Sequence, residues 1–244
     1  MKVSVCIPMY NESSIIAATA KTLTEALDAR FGEDYELLFS DDGSTDGSAD
    51  LVRALKLPRV RVVGYPANRG KGCAVRTAML EAKGDYVIFT DADLAYGTEV
   101  IGTAVDTFEA NPESEVVIGS RNLGKDGYEG YTLIRKIASK VYIRVLCLIG
   151  GFRLSDSQCG CKAFTNRAAK EIFGRCTIDG FAFDFEALLW ADKLGYRIRE
   201  MPVRIINHRE SKIRLFRDTV KMLRDLIQIR RDVNRLDKQE NAEK

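Results

Sequence analysis

The apolar positions in the first half of the chain alternate between two patterns. Short apolar runs of strand length are each followed by a longer stretch with apolar residues at helical spacing. The predicted strands are Val3–Pro8, Tyr35–Ser40, Val60–Gly64, Tyr86–Thr90 and Glu115–Gly119. The predicted helices are Ser13–Ala29, Asp46–Leu55, Lys71–Ala82 and Thr98–Ala110. This alternation is typical of βαβ units, so we expect an α/β fold with a mostly parallel central sheet flanked by helices.

Two further helices are predicted in the second half, Thr132–Ile149 and a C-terminal helix from about Ser211. The C-terminal helix interleaves an apolar stripe with basic residues. Its apolar members are Ile213, Leu215, Phe216, Val220, Leu223, Ile227 and Val233. Such a helix suits the surface of an anionic membrane, although the stripe is also suited to packing on the sheet with its basic face solvated. We therefore divide the chain into a domain at 1–210 and a basic amphipathic helix with a polar tail at 211–244.

Composition limits the class of protein. With 244 residues and 45% hydrophobic residues, the chain is long enough for one large domain with a sizeable core. The longest apolar candidate for a membrane span, Val141–Ile149, is too short and contains Arg144. The chain starts directly on a strand, so no secretory signal is expected. The cysteines lack zinc-ligand spacing and are expected to be reduced core thiols of a cytoplasmic protein: Cys6, Cys73, Cys147, Cys159, Cys161 and Cys176.

The predicted strand Tyr86–Thr90 ends in two carboxylates, Asp91 and Asp93. Ligands of parallel sheets bind at the carboxyl ends of the strands, so these side chains are expected at a binding site. Carboxylate oxygens are suited to hold a divalent cation, and that cation to bridge to a diphosphate. The alternative is an ordinary Asp-rich turn after a strand.

Two other segments carry polar residues at the boundary between a predicted strand and a predicted helix. Asp41 and Asp42 close the second predicted strand and are suited to accept hydrogen bonds from a base or a ribose, or simply to build a turn and cap the next helix. Lys71 begins a helix within the glycine-rich segment Asn68–Gly72, which favours an anion or is a plain loop-to-helix junction. Neither a dinucleotide fingerprint nor a Walker loop occurs, so any nucleotide is held differently.

Taken together, these motifs resemble a known family. Four segments in this order resemble glycosyltransferase family 2 enzymes of the GT-A fold: Val5–Glu12, Asp41–Asp46, Asn68–Gly72 and Asp91–Asp93. Later segments resemble the polyprenyl-phosphate sugar transferases, namely the dolichyl-phosphate mannose and glucose synthases and their bacterial relatives: Gly119–Arg121, Asp156–Gly160, Lys162–Thr165, Phe181–Glu186 and Ser211–Ile213. The resemblance covers the chain from Val3 to about Arg230.

The resemblance implies a site for a nucleotide sugar. Its residues would be Pro8, Tyr10, Asn11, Glu12, Asp41, Asp42, Lys71, Asp91, Ala92, Asp93, Arg204 and Lys212. It also implies a divalent cation, Mg²⁺ or Mn²⁺, at Asp91 and Asp93. Mannose synthases of this family often have a metal-binding Gln where this chain has Ala95, so either water replaces that ligand or Asp93 and the diphosphate hold most of the metal.

The implied acceptor is a polyprenyl phosphate, which is already an anion at pH 7 and attacks without losing a proton. The resemblance assigns its phosphate to Arg121, Arg135 and Ser139, since a guanidinium grips phosphate oxygens in pairs. A solvated helix face is the alternative for Arg135. Asp184 is expected to orient the acceptor or a helix, with true base catalysis disfavoured. The predicted catalytic residues are Asp91, Asp93, Arg121 and Asp184.

The resulting hypothesis is an inverting glycosyltransferase, peripheral on the cytoplasmic face of a membrane, that moves a hexose to a polyprenyl phosphate. Similarity of Asn68–Gly72 and Asp156–Thr165 to dolichyl-phosphate glucose synthases favours UDP-glucose over GDP-mannose as donor. A non-catalytic nucleotide-sugar-binding protein is a second alternative. A processive polysaccharide synthase is disfavoured because the Gln-x-x-Arg-Trp motif is missing. A membrane-anchoring partner subunit is a possible addition, whereas no nucleic-acid partner is expected, because the basic helix belongs to no recognisable module.

Overall fold

The computed structural model describes residues 1–124, 127–128, 133–207 and 217–242. Its strands are β1 (Val3–Met9), β2 (Tyr35–Asp42), β3 (Val60–Tyr65), β4 (Tyr86–Phe89), β5 (Val116–Ser120), β6 (Lys162–Thr165) and β7 (Ile198–Pro202). The helices are α1 (Ile16–Phe31), α2 (Ser48–Ala54), α3 (Lys71–Glu81), α4 (Glu99–Ala110), α5 (Leu133–Gly150), α6 (Asn166–Phe173), α7 (Phe183–Lys193) and α8 (Arg217–Ala242). The predicted elements of the first half agree with these bounds to within three residues.

The strands form one seven-stranded sheet in the order β3-β2-β1-β4-β6-β5-β7. All neighbouring pairs are parallel except those of β6, which runs antiparallel to both β4 and β5. The predicted α/β architecture with a mostly parallel sheet is therefore confirmed. Because β6 runs the other way, its first residue, Lys162, pairs with Phe89 and lies at the edge where β4 and β5 end.

Both faces of the sheet are buried, because side chains alternate across each strand and helices cover each side. Along β1, Val5 and Ile7 pack into the cluster that contains α1 and α4, whereas Cys6 packs into the cluster on the opposite face with α3 and α7. All six cysteines are buried and free. Continuous apolar strands of this kind were the signal that predicted a doubly covered sheet.

The described part of α8 belongs to this core. Leu226, Ile229 and Val233 are buried in the cluster that includes α7, while Ile227 on the same helix is exposed. Val233 thus packs in the core of the domain. Because it is buried, its predicted place in a membrane-facing stripe is wrong. The predicted boundary between 210 and 211 lies outside the described residues.

Candidate active site

Four of the predicted site segments meet at the carboxyl edge of the sheet. Tyr10 follows β1, Asp42 ends β2, Asp91 follows β4 and Arg121 follows β5. These strands are parallel, so their ends share one edge, as expected for a ligand site of an open α/β sheet. The edge is assembled from residues as far apart in the chain as Tyr10 and Arg121, and its polar groups are connected by hydrogen bonds.

The loops after β1 and β2 are joined to each other. The backbone N–H of Asn11 donates to Ser44 Oγ at 3.0 Å, and Thr45 N–H donates to Asn11 Oδ1 at 2.9 Å. Glu12 N–H donates to Ser48 Oγ at 2.9 Å. Asn11 adopts a φ of 52°, a conformation that asparagine tolerates better than most residues. The junction leaves the Tyr10 ring exposed, whereas Pro8 is buried within β1.

Asp42 is buried and organises the loop that precedes α3. Its carboxylate accepts hydrogen bonds from Tyr65 Oη at 2.7 Å, from Asn68 Nδ2 at 2.8 Å, and from the backbone N–H groups of Arg69 and Gly70 at 2.8 and 3.0 Å. With both oxygens engaged, Asp42 acts by shaping this loop, which refines its implied role in nucleotide contact. Its neighbour Asp41 is only half-buried, and one of its oxygens accepts from Ser44 N–H.

Lys71, the first residue of α3, reaches the end of β4. Its Nζ lies 2.6 Å from Asp91 Oδ1, and both side chains are about one quarter exposed. Burial lowers the pKa of Lys71, but Asp91, Asp184 and Asp93 outweigh this effect and raise it above its ordinary value. The lysine is therefore a cation that is held by carboxylates at a site suited to an anionic ligand.

Asp93 lies on the turn after β4, next to Ala95. Asp93 Oδ1 accepts from the backbone N–H of Ala95 at 3.1 Å. The segment after β7 crosses this turn: Ile206 N–H donates to the carbonyl of Ala95 at 2.8 Å, and Asn207 Nδ2 donates to the carbonyls of Asp93 and Leu94 at 3.3 and 3.1 Å. We call residues 203–207 the strap, because they connect β7 to the turn that contains Asp93, a candidate metal ligand.

The donor set at this turn fits a divalent cation that takes part of its shell from a ligand. Asp91 and Asp93 supply carboxylate oxygens, the atoms that Mg²⁺ and Mn²⁺ prefer. Within the described ranges, no group of three or more acidic, His or Cys side chains forms a complete metal site. Lys71 engages Asp91 Oδ1, and Asp93 Oδ1 accepts from the backbone N–H of Ala95.

On the opposite side of Asp91, Arg121 is tied down by another carboxylate. Its Nε and one terminal nitrogen lie 2.6 and 2.9 Å from the two oxygens of Asp156, which is fully buried. Burial lowers the pKa of Arg121, but Asp156 outweighs it and raises that pKa. The guanidinium also lies over the Tyr128 ring at 5.3 Å, and Lys140 of α5 lies 5.9 Å from the same ring. Arg121 is thus a buried, fixed cation rather than a mobile clamp.

The remaining predicted site residues lie on α5, in the strap or outside the described parts of the structure. Ser139 is half-buried on α5. Arg135 falls on the same helix, but its side chain lies outside the described part of the structure. Lys212 also lies outside it. Arg204, in the strap, is exposed and has no ion-pair partner among the residues the structure describes.

Asp184 lies in the first turn of α7 and is almost fully buried. Its Oδ1 accepts from Lys162 Nζ at 2.8 Å. Burial raises the pKa of Asp184, and the nearby Lys162 and Lys71 partly oppose that rise. The site therefore contains a cluster of two ion pairs, Lys71–Asp91 and Lys162–Asp184. The charges of one pair influence those of the other.

An exposed apolar stripe runs along α5. Leu133, Ile137, Val141 and Leu148 are between 55% and 73% exposed although they are large and apolar. Their spacing places them on one face of the helix. No helix in the described residues is long and apolar enough to cross a membrane.

Sequence reasoning missed three residues that support the site: Lys162, Asn207 and Asp156. Lys162 and Asp156 fell inside motifs that were quoted for resemblance, but no role followed from them. A lysine at the start of an apolar run, Lys162–Thr165, was the available signal for a buried charge. Asn207 carries no comparable signal, because its bonds go to backbone carbonyls of a distant turn.

The fold and the edge site define the class of protein, a GT-A glycosyltransferase. A solved structure supports the fold: a glucosyl-3-phosphoglycerate synthase from Mycobacterium tuberculosis, crystallised with Mn²⁺, UDP and glucosyl-3-phosphoglycerate, superimposes with a TM-score of 0.71. That match has 20% sequence identity and covers 93% of this chain and 78% of the other. The family model described as glycosyl transferase family 2 matches residues 4–173. The chain belongs to glycosyl transferase family 2.

Curated relatives agree with this assignment. A dolichyl-phosphate beta-glucosyltransferase from Dictyostelium discoideum is 32% identical over 234 residues, and one from Trichomonas vaginalis is 31% identical over 227 residues. The matches cover 90% and 86% of this chain. The chain spans 71% and 65% of the length of those two relatives. The predictions of a family 2 glycosyltransferase and of its resemblance to dolichyl-phosphate sugar transferases are confirmed.

Proposed function

We propose that this chain is an inverting glucosyltransferase that moves glucose from UDP-glucose to a polyprenyl phosphate at a membrane surface. The observation that carries the proposal is the edge site itself, where Lys71 and Asp91 pair at 2.6 Å beside Asp93. Similarity to two dolichyl-phosphate beta-glucosyltransferases supports the choice of glucose and of a polyprenyl phosphate acceptor.

The donor nucleotide would lie across the ends of β1 and β2. The exposed Tyr10 ring offers an apolar face for the base, and the half-buried Asp41 offers an acceptor for a ribose or base N–H. Asp42 holds the Asn68–Gly70 loop in the position from which Lys71 reaches the diphosphate. These groups bind and orient the donor, and they would leave its anomeric carbon at the acceptor side of the edge.

The diphosphate arrives at a site that already contains charges of both signs. Lys71 is released from Asp91 when a stronger anion approaches, and Arg204 supplies an exposed cation in the strap. A divalent cation held by Asp93 and Asp91 would neutralise charge on the nucleoside diphosphate as it leaves. Ala95 contributes only its backbone to the turn, so its side chain needs no role in this arrangement.

The acceptor phosphate needs no base. One of its oxygens attacks the anomeric carbon from the face opposite the diphosphate, a new carbon–oxygen bond forms, and the bond to the diphosphate oxygen breaks. The electron pair leaves with the nucleoside diphosphate and no proton is transferred. What the protein supplies is positioning, which Ser139 on α5 and the implied Arg135 would provide from one side and the Asp156-fixed Arg121 from the other.

The membrane surface is proposed to contact α5. Its exposed stripe is flanked on the helix by Lys136, Lys140 and Arg144, an arrangement suited to anionic headgroups. The same helix carries Ser139, so contact with the bilayer would bring the lipid phosphate to the acceptor side of the site. The stripe supports peripheral attachment to a membrane, and we propose the cytoplasmic face for it.

The test is transfer of radiolabelled sugar from UDP-glucose and from GDP-mannose, in parallel, to polyprenyl phosphate in detergent with Mn²⁺ or Mg²⁺. We expect glucosyl product of β configuration by NMR, lost on chelation. Asp93→Asn should abolish it, whereas Asp50→Asn, a change at an exposed carboxylate of α2, should not. Product from GDP-mannose alone would move the donor to mannose. Donor binding without turnover on any polyprenyl phosphate would overturn the proposed transfer.

A further inference from the structure

Lys162 is a fully buried lysine on β6, at the carboxyl edge of the sheet. It is the first residue of β6, and its side chain has no exposed area. Lysine is rarely buried to this extent unless its charge is matched, because removing an ammonium from water is costly. Such a residue therefore needs an explanation from its partners.

Two oxygens and one ring meet the ammonium group. Its Nζ lies 2.7 Å from the carbonyl oxygen of Cys159 and 2.8 Å from Asp184 Oδ1. The Phe89 ring lies 5.7 Å from it, in cation–π range. Lys162 thus bridges the turn before β6, the end of β4 and the first turn of α7.

Both of these connections lead to the edge site. The turn that Lys162 holds through Cys159 includes Gly160, and a Cβ on Gly160 would lie 2.2 Å from Asp91 Oδ2. The position of this backbone therefore limits where the Asp91 carboxylate can be. Asp184 in turn interacts electrostatically with Lys71, which pairs with Asp91.

Stability alone does not explain the pair. Buried ion pairs are often replaceable by apolar residues of similar volume without loss of stability, so their presence points to orientation or specificity. Here the paired carboxylate, Asp184, is one of the residues predicted to act at the substrate site. Asp184 is also the only acidic residue of the first α7 turn that bonds Lys162, since Glu186 bonds the backbone of Thr177 and Ile178 instead.

We propose that Lys162 is a positioning residue of the transfer reaction, which holds Asp184 as a fixed carboxylate at the acceptor side and fixes the Gly160 backbone against Asp91. The inference rests on the proposed function, and it adds a residue that contacts neither substrate. Its action is through geometry, because a misplacement of about 1 Å at reacting groups lowers rates about a hundredfold.

The experiment separates positioning from mere charge compensation with three variants. Lys162→Met leaves Asp184 unpaired, and Lys162→Met with Asp184→Asn removes both charges. Lys170→Met is the matched control, because Lys170 is a part-buried lysine of α6 that bonds only the carbonyls of Met79, Leu80 and Ala82, at the end of α3 away from the site. Thermal midpoints, kcat and both KM values are measured for each, after turnover of the wild type has been established.

We expect Lys162→Met to lower the midpoint and to lower kcat about tenfold to a hundredfold at saturating substrates. In the double variant the midpoint recovers by at least half of that loss, but kcat stays reduced. Lys170→Met lowers the midpoint and leaves kcat within about twofold. Recovery of both midpoint and kcat in the double variant would overturn the proposal, as would normal kcat in Lys162→Met.

If Lys162→Met does not fold, the double variant carries the same comparison. If the wild type transfers no sugar, the proposed function has failed, and UDP affinity in the presence of Mn²⁺ becomes the readout. Weaker UDP binding in the double variant but not in Lys170→Met would then support positioning of Asp91 through Gly160. Equal UDP affinity in all variants would overturn it.

Discussion

Lys71 Nζ lies 2.6 Å from Asp91 Oδ1, and this ion pair joins the first turn of α3 to the end of β4. The pair places a cation at a sheet edge whose other charged groups are largely acidic. A ligand that carries a diphosphate would compete with Asp91 for this cation. Charge within this pair is therefore balanced before donor arrives, and it redistributes when donor binds.

Replacing the cation of this pair should weaken donor binding. For Lys71→Met we expect the KM for UDP-glucose to rise about tenfold, which corresponds to about 1.4 kcal/mol. The thermal midpoint should change little, because the pair is partly exposed. Steady-state kinetics measure this, with Lys21→Met on the exposed face of α1 as control. An unchanged KM would show that Lys71 does not contact the donor.

Asp42 predicts a different kind of defect. It is buried and accepts at least four hydrogen bonds, so Asp42→Asn places amide hydrogens against N–H donors. We expect a loss of about 2–4 kcal/mol in the free energy of unfolding, together with weaker UDP binding, because the Asn68–Gly70 loop loses its support. Urea unfolding measures the first and titration with UDP the second. Asp50→Asn on exposed α2 should change stability by less than about 0.5 kcal/mol. Normal stability of Asp42→Asn would contradict the bonding described.

Gly160 predicts sensitivity to a single methyl group. A Cβ there would lie 2.2 Å from Asp91 Oδ2, so Gly160→Ala forces the carboxylate or the turn to move. We expect kcat to fall at least about tenfold while the protein remains folded. Gly180→Ala is the control, since a Cβ at Gly180 meets nothing within 4 Å. Equal activity of the two variants would mean that the Asp91 carboxylate can shift without consequence.

Asp179 forms ion pairs with Arg69, at 3.1 Å, and with Arg76, and we expect these pairs to make stability depend on pH. Burial raises the pKa of Asp179, but Arg76 and Arg69 outweigh it and lower that pKa below 3.8. A lowered pKa in the folded state means stability that is complete above the ordinary pKa and lost as pH falls through the folded value. Asp179→Asn should therefore be less stable than wild type at pH 7, with a difference that shrinks below about pH 4. Urea midpoints at several pH values measure this, and Glu33→Gln at an exposed carboxylate should show no such trend. A difference that stays constant into acid would contradict the ion pairs.

The stripe on α5 predicts binding to anionic vesicles. Val141→Asp and Leu148→Asp each remove apolar contact and add a negative charge, so we expect partitioning into phosphatidylserine-containing vesicles to fall about tenfold. Vesicle sedimentation measures it. Leu51→Asp, at an exposed apolar residue of α2, should partition like wild type. Equal loss in all three variants would point to general charge repulsion instead of contact through α5.

The first half of the fold followed from hydrophobic periodicity because each strand there is an apolar run followed by a helix. β6 did not follow, since Lys162–Thr165 starts with a charge. Its antiparallel insertion between β4 and β5 depends on pairing across the sheet, which no local pattern encodes.

The positions of Asp41 and Asp91 at the carboxyl edge were predictable because both follow predicted apolar strands, whereas Arg121 was assigned only by family resemblance. The site was not predictable where a carboxylate forms its hydrogen bonds with residues distant in sequence. Asp42 bonds Gly70, and Arg121 bonds Asp156, so their tasks became visible only with the tertiary contacts. Burial of Lys162 belongs to the same class, because a lysine is ordinarily read as a surface residue.

The strap determines how short a fragment of this chain can be if the turn that contains Asp93 is to keep its hydrogen bonds. Ile206 and Asn207 bond the carbonyls around Ala95, and Leu226 and Val233 of α8 complete the core on the other face. A chain cut after β7 would keep every strand of the sheet. It would lose the hydrogen bonds between the strap and the Asp93 turn, and it would lose the part of the core that α8 contributes. For engineering, the excisable unit therefore runs through α8, and fusions belong after that helix rather than at the last strand.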